Sequence, residues 1–202
     1  MVNNLIFIIM ANLATTTYKV TGSHKAVSNL WNSLCGMDVN GKDVHLHKLA
    51  EHYGIDYKAK GISVRGHIYW AEYEEDNDHV LLSFETETAW DACNDLFHEI
   101  NHILDDELSI SYRVCECGCE VYYTHDEGSY FPEECCVSAS GKPFDDVSDE
   151  VYDSIEDAIR EWVSKMGVEQ GERTNEQMVD FINDYVYEDE DTYFYIKVFV
   201  FE

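Results

Sequence analysis

Residues 98–102 read His-Glu-Ile-Asn-His. On a helix, His98 and His102 sit four apart on one face with Glu99 beside them, a pattern able to hold zinc and place a general base next to it. Further on, residues 115–136 hold five of the seven cysteines. Cys115, Cys117 and Cys119 alternate, and on one strand face they stand about 6.6 Å apart, too spread for three ligands on one ion unless the strand breaks at Gly118. With a turn centred on Glu127–Gly128, Cys119 would face Cys136. That pair reads as packed thiols, as a disulfide, or with His125 as half a metal site. "HLHKLAEH" adds His45, His47 and His52; on a helix His45 and His52 share a face and His47 points elsewhere. Zinc-binding protein or metallohydrolase is therefore one reading, through His98 and His102 or through Cys119 and Cys136, with zinc the one cofactor implied.

The carboxylates outweigh these motifs. The 202 residues carry 41 acidic and 13 basic side chains, a net of −28. The imbalance is uneven. Residues 1–65 hold seven basic and four acidic groups, a net of +3, whereas 66–202 hold six and 37, a net of −31. Such a field repels nucleic acid, anionic lipid and acidic substrates and draws in basic protein surfaces. The acids expected to meet a partner are Glu74, Glu75, Asp76 and Asp78 at one turn, Asp153, Glu156 and Asp157 along the outer side of a long helix, and Glu188, Asp189, Glu190 and Asp191 in a run beside tyrosines. No P-loop, Gly-x-Ser-x-Gly or Gly-x-Gly-x-x-Gly is present, which removes the main support for ordinary kinase, hydrolase and dinucleotide chemistry. No Asp-x-Asp-x-Asp-Gly calcium loop is present either.

The elements that must carry these groups are legible in the periodicity. Thr15–Thr21 alternates as a strand, and Ser23 can cap a helix whose apolar stripe is Ala26, Val27, Leu30, Trp31 and Leu34, stopped by Gly36. Asp43 can cap a shorter helix ending at Gly54. Two strands, 61–74 and 79–86, flank a polar turn at 75–78. A third helix is expected from near Thr88, with Trp90, Cys93, Leu96, Phe97, Ile100 and Leu104 inward. The cysteine hairpin follows, and 138–146 reads as a linker. A long helix is expected over 148–167, with Val151, Ile155, Ile159 and Trp162 inward and Gly167 at its end, and Thr174–Gln177 matches a capping box opening another. The last strand, Thr192–Phe201, is apolar on both faces, which points to a central position in a sheet or to a homodimer interface.

The order β-α-(α)-β-β-α-β-β-α-α-β predicts an α+β fold: a ferredoxin-like antiparallel sheet with helices packed on one face, plus a C-terminal helix-helix-strand extension. Residues 1–13 read as a tail or an over-long start with Met10 as initiator, 14–140 as the ferredoxin-like domain, and 141–202 as the acidic extension. Leu5–Met10 is too short for a membrane span and lacks a basic flank for export, so the cytoplasm is the expected compartment and disulfides are disfavoured.

Phe84, Thr88, Ala89 and Trp90, followed by an amphipathic helix and then by "LSISYRVCECGCEVYYTHDEG", resemble the YubB-like family of plasmid and phage accessory proteins, as does the early "YKVTGS". Asp91 and Ala92 stand where that family carries prolines. The resemblance implies a ferredoxin-like domain and a mobile-element protein, and it brings no catalytic residues. Joined to the charge, it leads to a binding module, not an enzyme: a DNA-mimic inhibitor of host restriction or RNA-guided defence, contacting a basic nucleic-acid-binding protein and neither nucleic acid nor membrane directly.

Overall fold

The computed structural model describes residues 12–76, 79–116, 118, 120–147 and 150–202. The proposed start at Met10 lies outside the described residues, as do Asp78, Cys117 and Cys119. The chain is mixed α and β with a mostly antiparallel main sheet. It divides into two compact units between Val121 and Tyr122.

In the first unit β1 (Leu13–Gly22) leads to α1 (His24–Gly36), the two-residue β2 (Val44–His45), α2 (Leu46–His52) and the single turn α3 (Tyr57–Lys60). The hairpin β3 (Gly66–Asp76) and β4 (His79–Ala89), α4 (Asn94–Ile103) and β5 (Leu108–Glu116) follow. The strands lie in the order β5-β1-β4-β3-β2, each antiparallel to its neighbours. Alternation in β1 decides which face is core: Ala14, Thr16, Tyr18 and Val20 are buried while Leu13 and Thr15 are exposed. Tyr18 is opposite Phe84 and Tyr112 in register. Its ring stacks on Phe84 at 4.6 Å and meets Phe97 of α4 at 4.7 Å, and its hydroxyl donates to Asn94 Oδ1 at 2.7 Å. Ser23 caps α1 as expected, its Oγ accepting the Ala26 N–H at 3.2 Å. Gly22 (φ +141°) is required just before it, because a Cβ there would lie 2.0 Å from the Glu107 carbonyl oxygen.

Several expected boundaries move. The strand β4 runs on to Ala89 because Thr86 and Thr88 fit a buried strand position, and α4 begins only at Asn94 behind Cys93. Trp90 therefore does not face a helix interior. It sits at φ +76° between the two elements, 42% exposed, its N–H bonded to the Asn12 carbonyl. Likewise His45, not Asp43, precedes α2, after a short strand.

The second unit holds β6 (Val121–His125, beginning at the residue before the division), β7 (Cys135–Ser140), β8 (Glu150–Tyr152), α5 (Ile155–Met166), α6 (Asn175–Asn183), β9 (Tyr193–Val198) and β10 (Val200–Phe201). Antiparallel β8-β7-β9 form one sheet, and β10 runs parallel to β6. Trp162, Phe144, Phe194, Met178 and Ile182 fill the core. Thr174 with Gln177 completes the expected capping box, but the long helix starts later than expected: Glu150–Tyr152 pair as β8, and α5 begins at Ile155 behind Ser154, whose Oγ accepts the Asp157 N–H. Residues 138–146 are not a linker. Ser138–Ser140 belong to β7, and Phe144, fully buried, packs against Phe194 at 4.9 Å. The last strand is not central either. It breaks at Phe199, and β9 lies at the sheet edge with Phe194 and Ile196 inward and Tyr195 outward.

Candidate functional site

The acids fall into both units. Glu74, Glu75 and Asp76 close the exposed end of β3. Asp153, Glu156 and Asp157 surround the start of α5, and Glu188, Asp189, Glu190 and Asp191 form the exposed connection from α6 to β9. They are not equivalent. Glu75 meets His24 Nε2 at 3.1 Å and accepts from the Tyr73 hydroxyl. Asp157 accepts from Ser154 Oγ at 2.7 Å and pairs with Arg160, which together hold its carboxyl below its ordinary value. Glu156 accepts from Asn175 Nδ2, and Asp189 folds its own loop by accepting the Asp191 N–H at 3.0 Å. Glu74, Asp153, Glu188 and Glu190 are exposed and form no ion pair among the described residues. These are the carboxylates left to face outward.

Three groups are raised by burial first and by acidic neighbours second. The Tyr152 phenol is pushed well above its ordinary value, first by burial and then by Glu150 and Glu161. Burial, then Glu134 and Asp157, push the Cys135 thiol up to about 12. In the first unit burial, followed by a 2.6 Å hydrogen bond to Glu85 and the charge of Glu87, raises Tyr69.

The metal patterns disperse. His98 and His102 share the exposed side of α4, but Glu99 is bonded to Lys60 and His102 Nδ1 lies 3.3 Å from Asp106. Of the alternating cysteines, Cys115 lies on β5, which ends at Glu116, and Cys117 and Cys119 lie outside the described residues. Cys136 lies on β7 opposite Val151 and Lys197; its expected partner Cys119 lies outside the described residues. Cys35, Cys93, Cys115, Cys135 and Cys136 form no disulfide. Among the described residues no three His, Cys, Asp or Glu side chains are placed to hold one ion.

One cluster escaped the sequence reading. His45 and His47 stack at 5.5 Å, His67 lies 6.1 Å from His45, and His67 Nε2 is 3.7 Å from Asp43 and 3.6 Å from Glu87. Treating 45–52 as all helix turned His47 away from His45. The short strand brings them together, and the register His45↔His67 adds the third ring. His52 stands apart, 3.1 Å from Ser33 Oγ.

No helix among the described residues is long and apolar enough to cross a membrane. No known family model matches the chain, nor does any curated protein or solved structure.

Proposed function

We propose that this is an acidic binding module of a phage or other mobile element that occupies a basic groove on a host nucleic-acid-binding protein in place of DNA, as an anti-restriction or anti-CRISPR inhibitor does. The observation that carries the reading is the charge of the second unit. Residues 122–202 hold 22 acidic and five basic side chains, a net of −17 over 81 residues. Glu188 and Glu190 project from it without ion pairs among the described residues. A duplex presents one charge per roughly 1.7 Å of axis, and a protein surface that competes for the same groove gains from counterion release and steered encounter.

The first unit fits the role of a ferredoxin-like scaffold. Its order β5-β1-β4-β3, with α1 and α4 as the crossing helices, supports that assignment. The YubB-like resemblance at Phe84 and Thr88–Trp90 supports a mobile-element origin. A zinc hydrolase at residues 98–102 gains no second observation, since Glu99 is engaged by Lys60.

The test is inhibition of duplex cleavage by a panel of restriction and RNA-guided nucleases across a salt series. At least one should be inhibited at low salt, with the apparent affinity falling linearly in log affinity against log salt. Reversing Glu74, Glu188, Glu190 and Asp191 to lysine should abolish that inhibition. Inhibition indifferent to salt and to those reversals, or none across the panel, overturns the proposal.

A further inference from the structure

We infer that a groove on the second unit, between α5 and the connection from α5 to α6, is the anchor for a single arginine side chain of the basic partner; this rests on the binding-module reading above. The groove has a volume of about 390 Å³ and is lined by Glu156, Ile159, Arg160, Val163, Glu169 and Gln170. Glu156, Ile159, Arg160 and Val163 recur every three or four residues, so they share one side of α5. Ile159 is buried and Val163 half-buried, which gives the groove an apolar floor. The rim is polar and fixed. Asn175 Nδ2 donates to Glu156, Gln170 Nε2 donates to Asn175 Oδ1 at 3.1 Å and to the Arg173 carbonyl at 3.0 Å, and Arg160 is neutralised by Asp157.

Glu169, by contrast, is an exposed carboxylate with no ion pair among the described residues. Apolar floor plus free carboxylate is complementary to one kind of side chain. The methylene stem of an arginine covers Ile159 and Val163, while its guanidinium reaches Glu169 and the outer oxygen of Glu156. The volume sits at the small end for ligand sites, which suits one side chain better than a cofactor. Arginine is preferred over lysine because its planar fork can bond two acceptors at once and is more weakly hydrated. Buried arginines set in a pocket are frequent energetic anchors at interfaces, and a surrounding net charge of −17 steers such a side chain inward.

A capped hexa-arginine peptide titrated into the full-length protein at low salt tests this, read by calorimetry and by backbone and methyl NMR. The largest shifts are expected at Ile159, Val163, Glu169 and Gln170. Glu169→Lys, an exposed change that leaves the fold intact, should weaken binding about tenfold. Hexa-lysine should bind less tightly than hexa-arginine and lose less from the same variant. Shifts confined to residues 188–191, with Glu169→Lys neutral, overturn the groove and leave the acidic-module reading standing. Absence of any binding to hexa-arginine overturns both.

Discussion

The first unit spreads ten- and eleven-residue strands over a core of stacked rings, whereas the second makes do with strands of six residues or fewer and a pair of helices. Charge runs the other way. Residues 1–121 hold 19 acidic and eight basic groups, a net of −11, against −17 in the shorter unit. The smaller core thus carries the denser self-repulsion. Its stability must come from a few large buried rings and from bonds between side chains and backbone, which tolerate an acidic exterior because they are internal.

Both units share one such device. An asparagine bonds both the N–H and the C=O of one strand residue, imitating a neighbouring strand. In the first unit Asn40 does this to Ala71 on β3, and Asn101 to Leu108 at the start of β5. In the second Asn183, the last residue of α6, does it to Ile196 on β9. An edge strand closed in this way is a poor template for another chain, so the outer edge of β9 offers little for strand addition.

The sharpest way to break the comparison is to empty the small core. Trp162 is fully buried, its ring lies 5.9 Å from Phe181 and 5.3 Å from Tyr185, and its Nε1 donates to the Tyr187 hydroxyl at 2.8 Å. Trp162→Ala should cost about 3–5 kcal/mol in denaturant unfolding, from the cavity and the orphaned hydroxyl together. Phe84→Ala in the first unit should fall in the same range, since Phe84 is equally buried between Tyr18 and Phe97. A loss below about 1 kcal/mol for Trp162→Ala would mean that the polar bonds, not the rings, hold the second unit.

Next in size are the asparagines. Asn183→Ala removes two bonds to Ile196 at 2.8 and 3.0 Å and uncovers the edge of β9. A cost of about 1–3 kcal/mol is expected, with increased self-association seen by light scattering at low pH, where the carboxylates no longer repel. Asn40→Ala should cost less, because Asn40 itself is exposed and β2 still shields part of β3. Equal costs, without association of the Asn183 variant, would mean that edge closure matters no more in the acidic unit than in the other.

These particulars also explain what the sequence could and could not tell. Caps and helix stripes were legible where they are local: Ser23, Thr174, Gly167 and the stripe through Ile159 and Trp162 act within a few residues of themselves. Strand ends were not. Whether Thr88 and Ala89 extend β4 depends on β1, which pairs Ala89 with Leu13, 76 residues earlier. Residues 138–146 looked like a linker because Gly141, Lys142 and Pro143 are turn-forming, yet Phe144 and Val147 are anchored by β9 and the helices. The acids were visible by count. Which of them remain uncommitted was not, since Glu75 is engaged by His24 and Glu156 by Asn175, partners 51 and 19 residues distant.

Alkaline pH separates the units further. The Cys135 thiol, with an ordinary value of 9.0, is held up to about 12 in the second unit. The folded form therefore keeps its proton at a pH where the unfolded chain has lost it. That contribution is complete below pH 9 and is lost as the pH rises from 9 towards 12. The urea midpoint should decline over this window, and Cys135→Ala should make the decline shallower. An unchanged slope would place the sensitivity in the phenols that burial also raises, Tyr53 and Tyr69 of the first unit and Tyr152 and Tyr187 of the second.

The smallest contrast lies in how helices start. Ser23 satisfies the Ala26 N–H at α1 and is itself tied to Glu107, whose carbonyl also takes the Ser23 N–H at 3.1 Å. Thr174 of the second unit has no such outside tie among the described residues; its box is closed by Gln177, with Oγ1 accepting the Gln177 N–H at 3.2 Å and Gln177 Oε1 accepting the Thr174 N–H at 3.1 Å. Thr174→Ala should therefore cost about 1 kcal/mol and act locally, loosening α6 in hydrogen exchange near Asn175–Met178. Ser23→Ala should cost at least as much and spread to Glu107 and the start of β5, because cap and strand share one anchor. A Thr174 effect that reached β9 as strongly would show α6 and the edge strand to be one cooperative piece, joined through Asn183, and would make the second unit the more tightly coupled of the two.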